Sequence, residues 1–150
     1  MPFKANAVTV DLTGHSGVLR EPLIYNGKRQ VFVVPAGFVT DFASVPWWSQ
    51  WLTPRLGRWT LSAVLHDWLC TDGIRDGVVD SVDADGIFRR TMREAGVDPV
   101  RQWLMWTAVR WAALVNPLRR PGWLRTAPGV LGISAAVLAP IGYLGCKLFT

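Results

Sequence analysis

The sequence predicts an α+β fold: an N-terminal antiparallel β-hairpin region, three α-helices, and a C-terminal hydrophobic helix. Three observations carry this prediction. Strand-like runs flank Asn26-Gly27 in "GVLREPLIYNGKRQVFVVPAGF". Capped helical patterns follow between residues 60 and 115. No charged residue occurs from Ala127 to Cys146. With 150 residues, half of them hydrophobic, the chain is long enough for one core and too apolar for global disorder.

Taken in order, Ala5 to Leu12 reads as a first strand. Leu19 to Tyr25 and Arg29 to Val34 read as a hairpin, because Asn-Gly tolerates the positive φ that a type I′ turn needs at both central positions. Pro35 and Gly37 end the second arm. "VTDFASVPWWSQWLTPRLG" reads as a loop with a short helical piece around Trp47, Trp48 and Trp51. Thr60 is a candidate N-cap for a helix to about Cys70, and Ser81 for a second helix to about Ala95, which Gly96 stops. Pro99 suits the first turn of a third helix running to Val115 and halted before Pro117.

These breaks divide the chain into an α+β domain (1–116), a basic linker (117–126) and a hydrophobic helix (127–149). The last is long enough to span a bilayer, and its small residues and Pro140 are tolerable there. Arg119, Arg120 and Arg125 precede it and Lys147 follows, so the N-terminal domain is expected on the cytoplasmic side.

The net charge of +5 fits an anionic membrane surface or nucleic acid and identifies neither. The arginines at 89, 90, 93, 101, 110, 119, 120 and 125 read as solvated helix faces plus headgroup contacts, so no specific nucleic acid is expected. Cys70 and Cys146 stand in unlike contexts with no metal-binding spacing, which gives no disulfide framework. With no signal-like start, the domain is expected in a reducing compartment.

The chemistry concentrates in "LSAVLHDWLC" and "SVDADGIFRRTMREAG". In the second, Phe88 lies about 60° and Met92 about 20° from Asp85 around a helix. Asp85 therefore shares the apolar stripe and needs a buried partner. His66 is surrounded by Ala63, Val64, Leu65, Trp68 and Leu69, and can supply it. His66 and Asp67 are adjacent and point about 100° apart, so they line a cleft from different sides. A His held by a carboxylate is a possible general base, or else part of a satisfied core network.

Other catalysts fit less well. Ser44 with His66 lacks a G-x-S-x-G elbow. His15 is the only other histidine, too few for a zinc peptidase. No glycine-rich loop carries a P-loop Lys.

"VPAGFVTDFASVP", then "AVLHDWLC", then "DADGIFRRTM" resemble a phage and prophage family, domain of unknown function 1353, over roughly Val31 to Val109. The resemblance implies a phage or prophage origin and does not by itself supply an activity. The adjacent His66-Asp67, with Asp85 on the next helix, is also similar to the secreted and bacterial phospholipases A2. That likeness implies His66 activating water, Asp85 orienting it, and Asp67 binding Ca²⁺ with Asp41, supported by Thr40 and Ser44. The family's disulfides are absent, and "GFVTDFASVP" stands where its glycine-rich calcium loop belongs.

Two functions follow as expectations. One is a membrane-associated, phage-type lipid esterase with membrane lipid as partner. The other is a non-catalytic structural or accessory phage protein, located in the virion and partnered by other phage structural proteins. In the second, the four groups His66, Asp67, Asp85 and Asp41 tie the loop to two helices.

Overall fold

The computed structural model describes residues 3–4, 7–13, 16–40 and 57–148, with side chains of the last helix described to residue 140. The Trp47, Trp48, Trp51 cluster and its short helical piece lie outside the described residues.

The N-terminal third is antiparallel β structure, as expected, but it forms two sheets. One has the order β1 (Val10–Thr13), β2 (Ser16–Leu19), β5 (Val39–Thr40); the other pairs β3 (Leu23–Asn26) with β4 (Val31–Val34). The expected single arm Leu19 to Tyr25 is split at Glu21-Pro22. Proline has no N–H for a ladder, so the chain leaves β2 there and starts β3 in the other sheet.

The hairpin register pairs Asn26 with Val31, which leaves Gly27 to Gln30 as a four-residue loop in place of the expected two-residue type I′ turn. Gly27 N–H donates to the Gln30 carbonyl at 3.0 Å, and positive φ is absent at Gly27. Its role is close approach: an added Cβ would lie 2.7 Å from the Gln30 oxygen and 2.9 Å from the Phe32 ring. Gly27→Ala is therefore expected to destabilise the fold by about 1–3 kcal/mol. A urea titration matching wild type would show that the loop yields freely.

Helix α1 (Thr60–Trp68) is followed by a π-helical turn, Leu69–Gly73, where an end near Cys70 was expected. Trp59, not Thr60, holds the cap position; the Thr60 hydroxyl closes a local loop by accepting from Gly57 N–H and donating to Gly57 C=O. Helix α2 (Ser81–Glu94) is capped by Asp80, whose carboxylate accepts from Asp83 N–H at 2.7 Å, so the cap falls one residue before Ser81. Gly96 just beyond it has φ 72°, the left-handed stop that the sequence signals. Helix α3 (Pro99–Val115) has Pro99 in its first turn and Asp98 as cap. A turn carries the chain to α4 (Trp123–Leu148).

The core is layered. Leu23, Tyr25, Phe32 and Val34 of the hairpin meet Val64, Leu65 and Leu69 behind them. Trp59, Ala63, Phe88, Met92 and Met105 join α1, α2 and α3. Ala113, Trp123 and Val130 join α3 to α4.

The C-terminal helix exists, but it begins at Trp123, inside the expected linker, and takes in Arg125. Among the described residues no helix is long and apolar enough to cross a membrane, so the transmembrane reading of 127–149 finds no support there. Gly, Ala, Ser and Pro dilute the apolar content. One side of α4 is also occupied by α3, through Val130 and through the Trp111 indole donating to Ser134 Oγ at 3.1 Å.

Candidate functional site

Helical periodicity brings the first pair together. Asp85, Phe88 and Met92 share one stripe of α2, and all three are buried, Asp85 and Met92 completely. His66 on α1 faces that stripe. Its Nε2 lies 2.6 Å from Asp85 Oδ1, and its ring stacks on Phe88 at 4.5 Å between centroids. Cys70, one helical turn after His66, places its sulfur 3.2 Å from the same Nε2. All bonds of the imidazole among the described residues fall on this one nitrogen.

Two arginines complete the arrangement. Arg110 of α3, fully buried, donates through Nη1 to Asp85 Oδ2 at 2.8 Å and to Ser81 Oγ at 3.1 Å. Its Nε donates to Thr126 Oγ1 of α4 at 2.9 Å. Arg119, from the α3–α4 turn and 8 % exposed, donates through Nη2 to Asp85 Oδ1 at 2.6 Å and to the Val109 carbonyl at 3.1 Å. The Trp123 indole braces this corner by donating to the Arg110 carbonyl at 2.7 Å. One carboxylate thus receives groups from α1, α3 and the turn before α4.

The expected headgroup and solvent roles of Arg110 and Arg119 are corrected accordingly. A guanidinium is kept in an interior where it finds a carboxylate, because an isolated buried charge is too costly. Their positions carried a weak signal, since Arg110 interrupts the apolar run "WLMWTAVRWAALV". Cys70 was also missed as a neighbour of His66; its four-residue spacing was the available clue.

Burial opposes the charged form of each member of the pair, and the partners prevail. The nearby Cys70 sulfur and the Asp85 carboxylate push the His66 pKa up to about 10. The His66 bond and charge, with Arg119 and Arg110, hold the Asp85 carboxyl below its usual range. One carboxylate thus faces two guanidiniums and an imidazole whose protonated form it favours.

Asp67 is placed differently. Its carboxylate accepts from the Thr40 hydroxyl of β5, tying α1 to the sheet. Asp41 and Ser44 lie outside the described residues. His66, Cys70 and Asp85 do put one ligand atom each within 4.8 Å of one another. That set suits calcium poorly, since Ca²⁺ takes six to eight oxygens and the only oxygen donor here already holds two guanidiniums. The calcium that the phospholipase likeness implies belongs instead to Asp67 and Asp41, the second of which lies outside the described residues.

No curated protein and no solved structure gives a match to the chain. A family model described as "Protein of unknown function (DUF1353)" matches residues 18–109. That stretch begins in β2, includes Thr40, His66, Asp67, Cys70 and Asp85, and stops one residue before Arg110. Since more than half of its residues lie in the match, the chain belongs to the DUF1353 family.

Proposed function

We propose that this chain is a non-catalytic structural or accessory protein, of the phage type that its family resemblance implies, in which the His66–Asp85 cluster fixes the geometry of the fold. The observation that carries this reading is the saturation of Asp85: fully buried, it accepts from His66, Arg110 and Arg119 at 2.6–2.8 Å. A general base must accept a proton near the working pH, and an imidazole with a pKa of about 10 already holds one. Arg110 Nη2 and Arg119 Nε are buried without a partner among the described residues, but the carboxylate itself is fully engaged, and a buried network centred on such a group specifies one packing among several. The partners expected are other structural proteins of the same particle.

A second reading keeps the hydrolytic role. It is favoured by one feature, the confinement of the recorded imidazole bonds to Nε2. Asp85 would then orient the ring, and water would meet it at Nδ1. Membrane lipid esters are the substrate class of that reading.

Ester hydrolysis by the purified chain on phospholipid vesicles, with calcium or chelator, at pH 7 and pH 10, separates the two. No turnover above the uncatalysed rate is expected under any of these conditions. Turnover that His66→Gln abolishes while the variant keeps its folded circular-dichroism spectrum would overturn the structural reading.

A further inference from the structure

We propose that the groove between the β3–β4 loop and the outer face of α2 binds an organic phosphate, with the phosphate on a cationic rim and the organic part on an apolar floor. The groove encloses about 600 Å³, within the range of small-molecule sites. Its rim carries five cations, Lys28 and Arg29 from the loop and Arg89, Arg90 and Arg93 from α2, against the single carboxylate of Asp83. Phe32, Val79 and Ile87 line it between them.

The cations are gathered by geometry. Residues three and four apart share one helix face, so Gly86, Arg89, Arg90 and Arg93 present one edge, flanking the Asp85 stripe. Above Gly86 there is open space, with nothing within 4 Å of where a Cβ would stand. The hairpin then brings Lys28 and Arg29 to the same edge.

None of the five makes an ion pair among the described residues. Aromatic rings seat two of them instead. The Arg89 guanidinium lies 4.0 Å from the Trp103 ring centroid, and that of Arg90 lies 6.0 Å from Tyr25. Arg90 Nε is buried with no hydrogen-bond partner among the described residues. Glu94, the nearby acid, is engaged by the Tyr25 hydroxyl at 3.0 Å. Like charges four residues apart on a helix repel, and burial with the Arg93 charge weakens protonation of Arg89. A phosphate relieves that repulsion, and guanidiniums fixed on rings offer it forked donors with little ordering cost.

The test is calorimetric titration of the full chain with pyrophosphate and with ATP, plus co-sedimentation with phosphatidylglycerol and phosphatidylcholine vesicles. Saturable binding that weakens with salt is expected. Arg93→Glu and Lys28→Glu, both at exposed positions, are each expected to lower affinity at least about tenfold, the effect of one charge-assisted contact. Arg75→Glu, which alters an exposed arginine paired with Asp72 outside the groove, is expected to leave it unchanged. Binding of the soluble phosphates assigns a free ligand; binding of phosphatidylglycerol vesicles alone assigns a lipid headgroup. Absence of saturation with every probe overturns the site, as does affinity that Arg93→Glu and Lys28→Glu leave intact or that Arg75→Glu lowers equally.

Discussion

Asp85→Asn is expected to remove about 3–5 kcal/mol of folding stability, the loss typical of breaking a buried ion pair from one side. The amide keeps the shape and removes the charge. His66, Arg110 and Arg119 then remain buried around a neutral group whose NH₂ cannot accept from them. Against a total of about 5–15 kcal/mol for a domain, that loss takes a large share of the stability. Guanidinium-chloride unfolding followed by tryptophan fluorescence measures it. Where the variant is too unstable to purify, Arg110→Met supplies the comparison, since it leaves Asp85 with His66 and Arg119. The two single variants and the double are expected to show a coupling of about 0.5–3 kcal/mol, as directly bonded groups do. Unfolding curves for Asp85→Asn within about 1 kcal/mol of wild type would refute a structural role for the cluster.

That cluster was half legible before any coordinates. Helical periodicity placed Asp85 on the buried stripe with Phe88 and Met92, and an apolar setting marked His66 as needing a partner. Both inferences depend on local geometry, which a 3.6-residue repeat encodes directly. The guanidiniums belong to another level. Arg110 reaches Asp85 across 25 residues and Arg119 across 34. Beyond the apolar run around Arg110, nothing local distinguishes them from Arg93, which stays exposed, because tertiary packing decides which cation is enclosed. Asp67 illustrates the converse. It points about 100° away from His66, as consecutive helical residues do, and the Thr40 hydroxyl that its carboxylate accepts from lies 27 residues away in sequence.

The strands teach a similar lesson. Strand-like runs around Asn26-Gly27 marked the β region, and β4 does bury Phe32 and Val34 while exposing Val31 and Val33. Register was misread at Asn26-Gly27 because a turn dipeptide constrains φ and does not count loop residues. The C-terminal helix shows that an uncharged run can also serve packing. Leu124, Leu131 and Leu138 are exposed while Val130 is buried on α3, so the described part of α4 is a packing helix with an apolar outer face.

The second large effect is on the pH dependence of stability. His66 has a folded pKa of about 10, against an unfolded value near 6.5. A group whose pKa rises on folding stabilises most when both states are protonated. Its contribution is therefore complete below about pH 6.5, declines from there, and is gone above about pH 10. A shift of this size corresponds to several kcal/mol at about 1.4 kcal/mol per unit. Asp85 works in the other direction. Its carboxyl is held below the ordinary range, so its contribution is present above about pH 4 and fades as pH falls through the lowered folded value. The cluster is thus strongest in the mildly acidic range between those limits. Other groups titrate in alkali, Tyr25 among them, so the informative quantity is the stability of wild type minus that of His66→Gln. That difference is expected to be largest near pH 6 and to shrink steadily towards pH 10. A difference that stays flat between pH 6 and pH 10 would mean that His66 is neutral in the folded protein. The chief objection to its acting as a general base would then be removed.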